Sequence, residues 1–228
     1  MFQQNGPRAF RFPEGGRSTP KHLRQTLETE DLSIRFVNTV AWRLREPHEE
    51  RLGSPTVLMD WLEWNGLARS KDLRLIRKVW SANPRKAHRV YETAIQLREA
   101  MYDLFTAHIA RRHPSPSAVS LFGQFLWGSS SRLRLEWEDG RLEWRMTPGA
   151  LEPLELLRPI ALSAAELMTG TRAHKIRQCQ DDRGCGWLFV DQSRLQNRRW
   201  CSMGDCGNRA KARSHRERIR AGIRRGEN

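Results

Sequence analysis

The sequence lacks the features of a membrane or secreted protein. No run of about eighteen apolar residues occurs in it, so we expect no membrane-spanning helix. Residues 1–20 scatter Arg, Gly and Pro where a signal peptide has an apolar segment. Cysteine is absent from the first 178 residues and occurs four times in all. We therefore expect a cytoplasmic protein whose few thiols stay reduced and serve as metal ligands rather than as disulfides.

Catalytic motifs are absent as well. The first 171 residues contain no nucleophile motif, no phosphate-binding glycine loop and no cluster of His and carboxylates at metal-ligand spacing. The sequence therefore predicts that the protein is not an enzyme. An enzyme with its site in the N-terminal part remains an alternative.

The chain has fewer acidic than basic residues. The chain has 40 Lys and Arg against 26 Asp and Glu, a net charge of +14 with a pI near 10.8. Residues 172–228 alone hold 15 Lys and Arg against 6 Asp and Glu, a net +9. Because such an excess favours polyanionic partners, the composition predicts a nucleic-acid partner that contacts the C-terminal quarter.

Apolar residues recur at helical spacing through most of residues 29–171. Capping and helix-breaking residues divide this pattern into segments that we expect to be helices, from Asp31 to Pro47, Ser54 to Gly66, Ser70 to Asn83, Pro84 to Arg112, Val119 to Leu126 and Leu154 to Gly170. Pro159 either kinks the last helix or marks its start. Four tryptophans lie in these segments and are expected in the core: Trp42, Trp61, Trp80 and Trp127.

Before the last helix the apolar period changes to two. Residues 133–137 and 142–146 alternate apolar and charged side chains around the turn dipeptide Asp139-Gly140. This pattern predicts a hairpin that packs its apolar face on the helices. The expected fold is mainly α with one β-hairpin, divided into a flexible leader (1–28), a helical domain (29–171, hairpin near 132–146) and a small zinc module with a basic helix (172–228).

The four cysteines form two close pairs. Five residues separate Cys179 from Cys185, four separate Cys201 from Cys206, and fifteen lie between the pairs. Two such pairs can supply four sulfurs to one tetrahedral ion, and four thiolates leave no open position for catalysis. We predict one structural zinc ion in a treble-clef or ribbon-like module, with short strands at residues 187–190 and 199–201. Two disulfides, or a ligand role for His174 or His215, remain alternatives.

A basic helix is predicted after Cys206. Four arginines at helical spacing form one cationic stripe, and a second row of basic residues adjoins it. Further arginines precede the second cysteine pair. The predicted nucleic-acid-binding residues are Arg198, Arg199, Arg209, Lys211, Arg213, His215, Arg216 and Arg220. A solvated helix without a partner is the alternative.

These residues resemble a known zinc finger. The run from Arg198 to Met203, followed by Cys206, Gly207, Asn208, Arg209 and Lys211, is similar to the CGNR zinc finger. Residues 36–39, 97–100 and 162–167 resemble stretches of the ABATE domain, which usually precedes that finger. The resemblance implies four cysteine ligands, DNA binding by the finger and stress-induced regulation of bacterial transcription.

The leading hypothesis is a zinc-dependent DNA-binding regulator of transcription. The helical domain would then sense a small-molecule effector, form a homodimer or recruit a partner. An RNA-binding or ribosome-associated zinc protein is the alternative, for which the charge serves equally well. Asn38 and Arg98 are polar residues in apolar stretches, so they are candidates for a ligand pocket. Alternatively, they hydrogen-bond to backbone or between helices.

Overall fold

The computed structural model describes residues 30–67, 70–127, 133–138, 141–146 and 153–226. Its helices are α1 Leu32–Val37, α2 Pro55–Trp64, α3 Ser70–Ala82, α4 Pro84–Ala110, α5 Pro116–Trp127, α6 Pro153–Thr169 and α7 Asn208–Gly226. Its strands form three antiparallel pairs, β1 Val40–Ala41 with β2 Glu49–Glu50, β3 Leu133–Glu138 with β4 Arg141–Met146, and β5 Ile176–Gln178 with β6 Leu188–Val190. The predicted mainly α fold with a β-hairpin and a small C-terminal module is confirmed.

The predicted capping residues fix several helix ends. The Ser54 hydroxyl accepts a hydrogen bond from the Val57 amide at 3.2 Å, one residue before Pro55 begins α2. The Asn83 side chain caps α4 in the same way, and Arg111 ends that helix in the left-handed conformation at φ 52°. Pro159 lies inside α6 and does not start it.

The first helix is shorter than predicted. It ends at Val37 and the chain then forms β1, in which Val40 pairs with Glu50 of β2. Trp42 follows in the left-handed conformation at φ 56°, and Leu44 is 56% exposed. The helical spacing of Val40 and Leu44 was therefore misleading, because both residues belong to a segment that turns toward the C-terminal module.

The core surrounds α4, whose buried side chains include Val90, Leu97, Met101 and Phe105. Helices α1, α2, α3, α5 and α6 pack against it. The predicted burial is confirmed for Trp42, Trp61 and Trp80 and is wrong for Trp127, which is 84% exposed at the end of α5. None of the helices in the described ranges has the length and hydrophobicity needed to cross a membrane.

The hairpin lies where the period-two pattern predicted it, with Leu135 opposite Trp144 and Trp137 opposite Leu142. Its turn at residues 139–140, the packing of its side chains and the expected leader at residues 1–28 lie outside what the structure describes.

The core continues beyond the predicted end of the helical domain at Gly170. Ile176, Leu188 and Val190 are each at most 2% exposed and belong to the same buried cluster as the helices. The apolar pattern of the helices could not indicate this, because these residues lie in three-residue strands that carry no period of their own.

Candidate metal centre

The two cysteine pairs lie on different kinds of backbone. Cys179 follows β5 and Cys185 precedes β6, so the first pair belongs to the loop of a hairpin in which Ile176 pairs with Val190. Cys206 lies in a π-turn, Met203–Gly207, that leads into α7, and Ser202 caps this turn by accepting from the Asp205 amide. Ligands from a hairpin loop and from the start of a helix match the expected treble-clef layout.

The predicted strand at residues 199–201 is absent. The partner of β6 is β5, and the segment before Cys201 makes a single backbone hydrogen bond to the first loop, from the Gln180 amide to the Arg199 carbonyl at 2.9 Å. The sequence indicated β6 but not its partner β5, because residues 176–178 are too few to show a period of their own.

The four sulfur atoms lie within 4.8 Å of one another, and all four cysteines are buried. The Cys185–Cys201 and Cys201–Cys206 Sγ distances are both 3.7 Å. Tetrahedral zinc with Zn–S bonds of about 2.3 Å separates its sulfurs by about 3.8 Å, whereas a disulfide brings them to about 2.05 Å. The cysteines are unbridged, and the set fits one zinc ion. Neither His174 nor His215 joins a metal-ligand group in the described residues.

The crowding of the thiols explains why a cation belongs there. Hydrogen bonds from the Cys185, Cys201 and Cys206 thiols to the Cys179 thiolate lower the pKa of Cys179. The Cys179 and Cys185 sulfurs raise the pKa of Cys206, because a thiolate already present opposes a second negative charge. Bound zinc supplies the positive charge that lets all four sulfurs ionise, and with four thiolate ligands its role is structural.

Arg209 connects the metal centre to the start of α7. Its Nη2 donates to the Cys206 Sγ at 2.8 Å and to the Asp181 carboxylate at 2.9 Å. The Asp181 side chain is 2% exposed, and the Arg209 guanidinium lies 5.2 Å from the centre of the Trp42 ring. Burial opposes the Arg209 charge, but the Asp181 hydrogen bond and the nearby Cys206, Asp181 and Asp205 charges together outweigh it and raise the pKa of Arg209. This predicted nucleic-acid contact is thus engaged within the protein.

Other arginines of the predicted nucleic-acid set also have partners. Arg198 donates to the backbone carbonyls of Trp200, at 2.7 Å, and of Cys201, while its guanidinium lies over the Phe189 ring. Arg199 donates to the Gln180 side chain, and Arg213 pairs with Asp182 and Glu217. These contacts hold the second cysteine loop and the first turns of α7 in place.

The remaining basic residues of the set are exposed on α7. Lys211, His215, Arg216 and Arg220 have no ion-pair partner among the residues that the structure describes. At about 100° per residue, Lys211 and His215 lie about 140° around the helix from Arg216 and Arg220. The second row therefore lies on nearly the opposite side of α7 from the first. The prediction that the two rows adjoin each other is wrong.

The N-terminal domain forms hydrogen bonds to backbone groups of the first cysteine loop and of β6. The Asn38 side chain makes two hydrogen bonds to Leu188, accepting from its amide at 2.9 Å and donating to its carbonyl at 2.8 Å. The amides of Arg43 and Leu44 donate to the carbonyls of Cys185 and Gly184 at 3.1 and 3.0 Å. Asn38 thus forms hydrogen bonds to the backbone, which was the alternative to a role in a ligand pocket.

Two aromatic side chains extend this contact. The Trp187 indole donates to the Val40 carbonyl at 2.7 Å, and the Tyr102 hydroxyl of α4 donates to the Gly186 carbonyl at 2.9 Å. Gly186 adopts φ 67°, and a Cβ there would lie 2.7 Å from Leu44 Cγ. Both the backbone conformation and the close approach favour glycine. The two glycines that flank Cys185 in the sequence were the only signal of this contact.

Arg98, the other pocket candidate, is the centre of an ion-pair network. Its guanidinium is 3% exposed, makes two hydrogen bonds to Glu50 at 2.6 and 2.8 Å, and also contacts Thr39 and Glu99. Burial tends to raise the pKa of Glu50, but Arg98 outweighs this effect and lowers it. The network joins α4 to β2 and to the segment that holds the cysteine loop.

We predict that Arg209→Ala weakens zinc binding about 10- to 100-fold, because groups that hydrogen-bond to metal ligands typically contribute that much. Titration with a competing chelator would measure the zinc affinity. Arg213→Ala is the matched control, since Arg213 lies one turn further along α7 and pairs with Asp182. Equal zinc affinities of the two variants would contradict the prediction.

Two known family models match the chain, one in each of its two parts. The family model ABATE, described as "Putative stress-induced transcription regulator", matches residues 30–171. The CGNR zinc finger model matches residues 175–219, which include all four cysteines. No curated protein matches the chain. Because the first model covers more than half of the chain, the protein belongs to the ABATE family and carries a CGNR zinc finger after that domain.

Proposed function

We propose that the protein is a zinc-dependent DNA-binding regulator of bacterial transcription, with α7 as its DNA-contacting element. The observation that carries this proposal is a basic helix whose start is fixed by the metal centre and whose outer cations have no partner in the described part of the protein. Both matched families are regulator or zinc-finger families rather than enzyme families. Four thiolate ligands also require a reducing compartment, which supports a cytoplasmic location.

The two rows of exposed cations suit a helix in the major groove. That groove is about 12 Å wide and admits an α-helix with a phosphate strand on either side. Lys211 and His215 would face one strand, while Arg216 and Arg220 would face the other. Arg198, Arg199, Arg209 and Arg213 would instead hold the finger in the orientation that presents α7.

The aromatic residues of the finger favour duplex DNA over single-stranded RNA. Sequence-specific RNA recognition typically stacks unpaired bases on exposed aromatic rings. Trp187 and Phe189 are at most 5% exposed, and the half-buried Trp200 lies beside the Arg199 guanidinium. The finger therefore offers poor stacking surfaces for bases.

The N-terminal domain would act on DNA binding through the cysteine loop. Asn38, Trp42 and Tyr102 all contact this loop or Arg209, so a change in their positions would change how α7 is held. An effector or a second copy of the chain that shifts the segment at residues 38–44 would then regulate the finger.

A salt titration with duplex DNA tests the proposal. Each neutralised phosphate contributes about −0.9 to the slope of log K against log salt, so contacts from Lys211, Arg216 and Arg220 predict a slope of about −2.7 from α7. Arg216→Gln and Arg220→Gln should each reduce the slope by about one unit. Arg111→Gln, at the far end of α4, is the control and should leave the slope unchanged. Binding that does not depend on salt would contradict the proposal.

A further inference from the structure

Among the residues before position 172 that the structure describes, positive charge is concentrated in one segment. Residues 70–92 contain seven Lys and Arg against two Asp and Glu, a net +5. Residues 1–171 together also carry +5, because residues 172–228 hold +9 of the total +14. Residues 1–24 hold a further net +4, so the remaining residues before position 172 are net negative.

The segment forms a corner between two helices. Only Asn83 separates the end of α3 at Ala82 from the start of α4 at Pro84. Each helix carries two exposed cations four residues apart, which places them on one face of the helix. We call this surface the α3–α4 corner, formed by Arg74, Lys78, Arg85 and Arg89.

The corner cations have no counter-charge within the described protein. Of the nearby carboxylates that the structure describes, Asp60 and Glu63 pair with Arg77 at 2.6 and 3.2 Å, and Glu92 lies 3.2 Å from the His88 ring. None of the four corner side chains forms an ion pair among the described residues.

The arrangement is electrostatically unfavourable in the isolated protein. Like charges four residues apart on a helix repel each other, and both helices of the corner carry such a pair. Arg85 also lies in the first turn of α4, where the helix dipole is positive and no acidic residue occurs. A polyanion bound at the corner would offset this repulsion, because each cation would then lie beside a negative charge.

Helix α4 sets the spacing between the corner and the cysteine loop. Arg85 lies 17 residues before Tyr102, whose hydroxyl contacts the cysteine loop, and this separation corresponds to about 26 Å along α4. One turn of B-DNA spans about 34 Å. Because the spacing between the corner and the cysteine loop is shorter than one such turn, a duplex that runs along α4 could contact both.

We propose that the α3–α4 corner is a second phosphate-binding surface, which contacts the backbone of the same duplex that α7 binds. This inference rests on the proposed function and adds the N-terminal domain to the DNA interface. The contacts are with phosphates, so they strengthen binding to all sequences alike and leave base preference to α7.

The test compares a corner variant with wild-type zinc-loaded protein on two DNA lengths. The variant combines Arg74→Gln, Lys78→Gln, Arg85→Gln and Arg89→Gln. A duplex of 20 base pairs is about 68 Å long and can reach both surfaces, whereas a hairpin with 6 base pairs is about 20 Å long and can reach only one. The matched control is Arg111→Gln, which removes a cation from the opposite end of α4.

On the long duplex the corner variant is expected to reduce the magnitude of the log–log salt slope by about 3.6 units, at about 0.9 for each of the four lost contacts. On the short hairpin wild type and variant should bind alike. The melting temperature of the variant should equal or exceed that of wild type, because repulsion is removed; a lower melting temperature would show internal partners and overturn the proposal.

Two further outcomes separate this inference from the proposed function. If wild type binds the long duplex with strong salt dependence and the corner variant binds it identically, the corner is not a DNA contact, although α7 still is. If wild type binds neither DNA, the proposed function fails together with this inference. Loss of binding to an acidic protein, without any change on DNA, would likewise overturn the assignment of the corner to phosphates.

Discussion

Removing zinc from the intact protein is expected to melt the C-terminal module and to lower the melting temperature of the whole chain. Structural zinc contributes on the order of 10 kcal/mol to the folding of such modules. Without the ion, four buried thiols remain within 4.8 Å of one another with no charge to hold them. Because Asn38 and Trp187 tie the cysteine loop to the N-terminal domain, the loss should spread beyond the finger.

The measurement is circular dichroism during heating, before and after chelation, together with the zinc content of each sample. Cys201→Ser should reproduce the chelated state, and zinc added back to chelated wild type should restore the original melting curve. A Cys201→Ser variant that retains one zinc per chain would refute the proposed ligand set of Cys179, Cys185, Cys201 and Cys206.

Ending the chain at Thr171 is expected to abolish cooperative folding of the helical domain. The truncation removes Ile176, Leu188 and Val190, each at most 2% exposed in the shared core. Burial of such side chains contributes about 1.5–3 kcal/mol each, so the loss is about 5–9 kcal/mol. A domain typically has only about 5–15 kcal/mol of unfolding free energy. The sequence had indicated a boundary between the helical domain and the zinc module at this point.

A longer truncation provides the control. A chain that ends at Ala212 keeps the four cysteines, Arg209 and its Asp181 contact, and loses the outer part of α7. We expect it to bind zinc and to melt cooperatively but to bind DNA much more weakly than the full chain. If the chain ending at Thr171 melts with the same cooperativity and midpoint as the full chain, the finger is not part of the core.

Much of the helical architecture followed from the sequence because its signals are local. Ser54 with Pro55 and Asn83 with Pro84 mark helix starts whatever the rest of the chain does, and α4 is long enough for its apolar period to be unambiguous. The cysteine cluster was equally clear, since no other part of the sequence could supply four soft ligands.

The wrong predictions concern residues whose structure depends on contacts with distant segments rather than on the local sequence pattern. Val40 and Leu44 continue a helical spacing, but hydrogen bonds from Arg43 and Leu44 to the cysteine loop draw the chain out of the helix. Trp127 fits an apolar face by its spacing, yet it lies on an exposed side of α5. Spacing alone cannot say which side of a short helix faces a neighbour.

The sequence by itself determined the helices, the hairpin, the zinc ligand type and the positive charge of the C-terminal quarter. These depend on the residues present and on their spacing over a few turns. Only the tertiary structure decided that Arg209 bonds to a cysteine sulfur, that Asn38 holds Leu188, and that the finger shares its core with the helices. The Asn38–Leu188 contact joins residues 150 positions apart, and no local periodicity records a pairing over that distance.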